Sequence, residues 1–129
     1  MPGEIQAPIF TENFIAAGAI NKGCVVQDNG LSGNTRTVVV CTSGIGIGIA
    51  ATTVATGDQV TVYKFGSECE VAVAAAVTVL TVPLTATTGG QLTPQGSAGS
   101  YMVWPRETTT NAGSPSFIRA YVSPGYKNA

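Results

Sequence analysis

Two groups of residues in this chain have the types and spacing that chemistry uses. Gly44, Gly46 and Gly48 alternate with Ile45, Ile47 and Ile49, and glycine-rich loops can cradle phosphates. Glu68 and Glu70 stand two apart and share one face of a strand, as an acid/base pair could. Neither chemistry fits its surroundings. The dinucleotide fingerprint is G-x-G-x-x-G running into a helix whose N-terminus holds the phosphates. Here the spacing is G-x-G-x-G, the residues that follow are β-formers, and no G-x-x-x-x-G-K-[ST] occurs. Two carboxylates beside a Gly-Ser turn read as solvated charges that protect a strand end. With no histidine in the chain, a Ser–His–Asp or Cys–His system cannot be assembled. Lys22, Lys64 and Lys127 are the lysines that could replace such a base. We expect no enzyme activity and no cofactor.

The three cysteines, Cys24, Cys41 and Cys69, contain no CxxC pair, so a zinc site is not expected. They read as small apolar strand residues in a reducing compartment, with one disulfide and a spare thiol as the alternative. Charged residues make up 10% of the chain and the net charge is −1. An average soluble chain carries about 25%. Six Lys and Arg against seven Asp and Glu supply neither a basic surface for nucleic acid nor a polybasic membrane patch. No run of about 18 apolar residues suggests a spanning helix. The start MPGEIQAPIFTENF lacks the basic and apolar regions of a secretory signal. A surface of Thr, Ser, Gly, Asn and Gln suits a protein docked in an assembly; a β-domain with a neutral surface is the plainer reading.

The elements that must position these residues are strands. Residues 1–17 carry Pro2, Gly3 and Pro8 among isolated apolar residues and read as an extended N-terminal arm. Residues 18–123 form one β domain, and 124–129 a tail that is unstructured or pinned by Tyr126. Strands are expected at Cys24–Gln27, Arg36–Thr42, Ile45–Ala51, Gln59–Phe65, Gln91–Thr93, Ser100–Trp104 and Ser116–Val122. Asp28-Asn29-Gly30 signals a turn, because Asn and Gly accept positive φ. Residues 68–82 alternate with a period near two and read as one long bent strand or a tight hairpin, with a short helix the alternative. Thr85–Gly90 reads as a loop. A weak echo links Ile47, Gly57 and the strand at Gln59 to Val103, Gly113 and the strand at Ser116. It suggests two related hairpin units folded on each other. The fold class is all-β: a compact sandwich or small barrel of eight to ten short strands with an extended arm.

In a strand, the three isoleucines point one way and the glycines leave the other face bare. That face is covered within the domain or by a neighbouring subunit. Trp104, the sole tryptophan, is an interface anchor, a sugar-stacking platform or a core residue beside Pro105. The candidate interface is therefore Ile5, Ile9, Phe10 and Phe14 of the arm, Gly44, Gly46 and Gly48, and Trp104.

Three short segments bear a likeness to a known family. They are GAINKGCVV from Gly18 to Val26, IGIA from Ile47 to Ala50, and TGDQVTVY from Thr56 to Tyr63. Over roughly residues 14–66 the chain resembles the small β-rich head decoration, or capsid cement, proteins of tailed phages. Thr87–Leu92 lacks the acid of that family's second T-A-G-D-x-V unit. The resemblance implies a virion protein on the outer surface of the expanded head, made in the host cytoplasm. It would act as a homotrimer, tying neighbouring major capsid proteins together. A β-rich recognition module of a tail tip, or one that binds carbohydrate through Trp104, Tyr101 and Tyr121, is the alternative.

Overall fold

The structure is a computed structural model and describes residues 9–110 and 116–128. The chain is all-β, as its composition and period-two patterning imply. Among the described residues, ten strands close into two small barrels of five strands each. The first barrel holds β1 (Thr11–Ala16), β2 (Val25–Ser32), β3 (Thr35–Val40), β4 (Gly48–Ala50) and β5 (Gln59–Tyr63). The second holds β6 (Glu68–Val73), β7 (Leu84–Ala86), β8 (Leu92–Pro94), β9 (Gly99–Pro105) and β10 (Ser116–Lys127).

The two barrels share one topology. In each, the first strand pairs parallel with the third and antiparallel with the fifth. The second pairs antiparallel with the third and fourth, and the fourth with the fifth. Register repeats as well. Val38 lies opposite Ala16 as Leu92 lies opposite Val73. Gly48 lies opposite Val26 as Val103 lies opposite Leu84. Tyr63 lies opposite Ile49 as Tyr121 lies opposite Trp104. Even the bridge between the first and fourth connections recurs: Ile20 with Val54, and Val77 with Thr109.

Burial follows the repeat. The first barrel is filled by Phe14, Ala16, Ile20, Val26, Val38, Ala50, Val60 and Val62. Their register counterparts Val71, Val73, Val77, Leu84, Leu92, Ile118 and Ala120 fill the second, and the counterpart of Ala50 is the buried Pro105. Alternation alone produces this, because every second residue of a strand points inward. The hairpin echo in the sequence falls on the right strands, β4–β5 and β9–β10, although Gly48 rather than Ile47 is the counterpart of Val103; Gly113 lies outside the described residues.

Within the single β domain the strands divide into two barrels joined by a common core. Several expectations are corrected. The arm is shorter than residues 1–17, because Thr11–Ala16 is β1, paired along five residues with β5. Only Phe14 and Ala16 of β1 are fully buried, which hid its period. The tail is also strand: Tyr126 and Lys127 pair with Ser100 and Gly99. Pro124 and Gly125 fall at a bulge in β10 between Val122 and Gly125, where strand pairing tolerates proline. Asp28-Asn29-Gly30 is likewise a bulge inside β2 rather than a turn. Gly30 has φ +84° and its N–H donates to Asp28 Oδ1 at 2.9 Å. The chain reverses instead at Gly33, φ +63°. The strand at Glu68 stops at Val73, short of Val82. Thr85–Gly90 contains β7 residues and a 3-10 turn, Thr88–Gly90.

Candidate docking surfaces

The barrels meet along an apolar seam. Val25, Cys41 and Ile49 of the first barrel, with Tyr63 against them, join Cys69, Val71, Met102 and Val122 in the larger core cluster. The backbones also touch across it. Ala72 N–H donates to Gly23 C=O at 2.9 Å, and a Cβ on Gly23 would stand 2.7 Å from that same nitrogen. Apolar burial on this scale, at about 25 cal/mol per Å², makes the two barrels one packed body.

Gly44, Gly46 and Gly48 divide into two kinds. Gly44 has φ +69° and open space beside it, and it forms a β-bridge to Ala86 of the second barrel. Gly46 and Gly48 are buried. A Cβ on Gly46 would strike the carbonyl oxygen of Val26, and one on Gly48 that of Tyr63. The bare face of this strand is thus covered by the protein's own backbone, and a neighbouring subunit has no room there. The three isoleucines also differ: Ile49 is fully buried, Ile47 packs at the edge of the first core, and Ile45 is exposed. The cause is that the strand begins only at Gly48, so strict alternation does not extend back to Ile45.

Of the arm residues, Phe14 is 5% exposed and belongs to the first core, which removes it from any interface. Ile5 lies outside the described residues. Ile9 and Phe10 are 61% and 56% exposed. Phe10 is tied at the backbone: its N–H donates to Ser67 Oγ at 2.7 Å, and Ser67 Oγ donates back to its carbonyl at 2.9 Å. Its ring lies beside Gly66. Trp104 is half-buried on the second barrel, not a core residue. Its ring meets Tyr101 edge to face, centroids 5.2 Å apart at 68°. The structure therefore does not gather the candidate residues into one surface. It leaves Ile9–Phe10 at the junction of the barrels and Trp104 on the second barrel alone.

A feature the sequence did not signal is what surrounds Trp104. Leu80, Pro105, Arg106 and Tyr121 line a depression with it. Leu80 comes from the irregular stretch after β6, so no periodicity could have placed it there.

The titratable groups are paired structurally. Glu68 accepts from Arg119 Nε at 3.4 Å and is ion-paired with Arg106 Nε at 3.4 Å, and Glu70 meets Lys22 Nζ at 3.1 Å. Each carboxylate of this pair therefore has a cation of its own. All three cysteines are free and buried. Burial raises the Cys24 thiol, and pushes Cys69 up to about 12 despite the lowering effect of Arg119. Thiols in that state are poor nucleophiles. Among the described residues, no three His, Cys, Asp or Glu side chains group closely enough to hold a metal ion.

No family model and no curated protein sequence matches this chain. In fold, the chain is similar to the crystal structure of the head fiber gp8.5 N base in bacteriophage phi29, at 13% identity and a TM-score of 0.71. The similarity covers 90% of this chain and 95% of that one, so both barrels take part.

Proposed function

We propose that this chain is a structural protein of a phage head that docks on the outer surface of the shell. The observation that carries the reading is the two-barrel fold, shared over nearly its whole length with the base of a phage head fiber. The short segments that resemble capsid cement proteins lead to the same place. A mostly uncharged surface, with 10% charged residues, fits a protein held by shape and apolar contact.

In the finer form of the proposal, the chain forms a homotrimer that bridges adjacent major capsid proteins and stabilises the expanded shell. Three linked copies let weak individual contacts act together. Ile9 and Phe10 stay exposed just before β1 and offer apolar contact to a neighbour. A second reading, favoured by the head fiber base, is an anchor that seats an appended fiber on the head.

The test is to mix the purified chain with undecorated heads. Saturable uptake at defined symmetry sites, with heads that then resist heat, is expected for a cement protein. Uptake without added heat resistance selects the anchor. No saturable uptake rejects both.

A further inference from the structure

The shared register gives each paired residue of the first barrel a counterpart in the second. Ile49 and Tyr63, paired between β4 and β5, correspond to Trp104 and Tyr121, paired between β9 and β10. Val25, beside them on β2, corresponds to Pro83. The first set is the face by which the first barrel is sealed against the second: Val25 and Ile49 are fully buried there, with Tyr63 packed on them. The second set is the same face of the second barrel, and the described residues leave it partly open. Tyr121 is 37% exposed, Trp104 is half-buried, and Leu80, 47% exposed, extends the apolar surface. A face that topology makes a seam in one repeat is thus left open, and still apolar, in the other.

The opposite end of the molecule is different. Cys69 and Val122 of the second barrel lie in the core cluster that joins it to the first. Their counterparts on the first barrel are Glu12 and Lys64, joined as an ion pair at 3.1 Å. A head-to-tail stack of copies would bury this pair under Trp104, Leu80 and Tyr121, and the loss of hydration opposes that. Charge on the outer face is how terminal repeats stop a stack. The open apolar face is therefore not matched to the free end of another copy. It is matched to itself, and its nearest charge, Arg106, is already neutralised by Glu68 at 3.4 Å.

We infer that Leu80, Trp104 and Tyr121 form the surface through which copies of this chain meet, the same face of each copy turned toward a common rotation axis. This deepens the homotrimer reading, and rests on it only for the number of copies; self-association through this face does not require a phage head.

The experiment is sedimentation of the full chain as wild type, Leu80→Ser, Tyr121→Ser, the double variant, and Arg36→Ser on the first barrel as a control. Leu80 and Tyr121 are exposed, so the variants keep the fold, and circular dichroism melts verify it. The expected result is a wild-type mass two or three times that of one chain, unchanged in Arg36→Ser and lost to a single chain's mass in the double variant. A monomeric wild type overturns the inference, as does a folded double variant that still assembles. A monomer whose Trp104 fluorescence responds to oligosaccharide also overturns it, and assigns the face to sugar. Uptake on heads, measured with the same proteins, separates the two proposals. A monomer that saturates heads rejects the face alone. An assembling wild type that ignores heads rejects the head reading alone.

Discussion

The two barrels carry the same strand pairings in the same register, yet at counterpart positions they hold different residues. Position by position, Ile49 faces Trp104, Tyr63 faces Tyr121, Gly48 faces Val103, and Glu12 with Lys64 faces Cys69 with Val122. Inside the barrels the counterparts are apolar throughout, though they differ in size, as Phe14 and Val71 do. Outside they are not. The pattern of inward residues is enough to build the barrel, and the outward residues decide what each barrel is built against. The first barrel has one apolar outer face, which the second covers, and one charged face. The second has two apolar outer faces, of which the chain covers only one.

The sharpest way to break this comparison is at Gly48. Its Cβ position is occupied by the carbonyl of Tyr63, while Val103 holds a side chain at the counterpart position. Gly48→Ala must push two strands apart, and its cost should reach or exceed the ~3 kcal/mol upper end of ordinary overpacking. Val103→Ala should cost less, by cavity formation alone. Urea unfolding of both variants checks the order; an unaffected Gly48→Ala would mean that β4 and β5 are not packed as described.

The seam gives the next largest effect. Ile49→Ala should lose about 2–5 kcal/mol, because Ile49 is fully buried between the barrels. Trp104→Ala, at the counterpart position, should lose about 1 kcal/mol in the separated chain, the scale of its ring contact with Tyr101. Both variants should unfold in one calorimetric transition, since one cluster spans the two barrels. Two transitions in the wild type would show that the barrels fold independently.

The smallest effect is one of pH. Cys69 is held protonated up to about 12 in the folded chain, against an ordinary value of 9.0. Between these values the unfolded chain has lost a proton that the folded chain keeps. Stability is therefore fully present below about pH 9 and falls as pH rises toward 12. Cys69→Ala should have a shallower alkaline limb than wild type in unfolding measured from pH 8 to 11. Equal slopes in both proteins would show that Cys69 is not the source.

Much of the fold was legible because strands announce themselves by alternation. Val60 and Val62, Ile118 and Ala120, and Met102 and Val103 were all placed in strands from β-branched or apolar runs. Elements with only one or two inward residues were not legible. In β1, Phe14 and Ala16 are the inward pair, and the polar Thr11, Glu12 and Asn13 before them look like an arm. In β7, three residues pair with β8, but only Leu84 pairs with β9. The Asn-Gly pair at 29–30 serves equally in a turn or a bulge, because both require positive φ; only the partner strand decides between them. Of the candidate interface, Ile9, Phe10 and Trp104 are at the surface, whereas Phe14, Gly46 and Gly48 are interior. A strand's bare face looks the same in sequence whether its own chain or another protein covers it.

By itself, the amino-acid sequence determined that this protein is built of strands. It also determined that cysteine serves as a small apolar residue, and that few charges are available for steering or catalysis. These follow from local periodicity and composition. Tertiary structure alone decided that the strands divide into two barrels of identical topology. It alone decided that Ile49 is sealed while Trp104 is open. Strand pairing is non-local and indifferent to residue identity at most positions, so a repeated set of pairings can persist with almost no repeated sequence to reveal it.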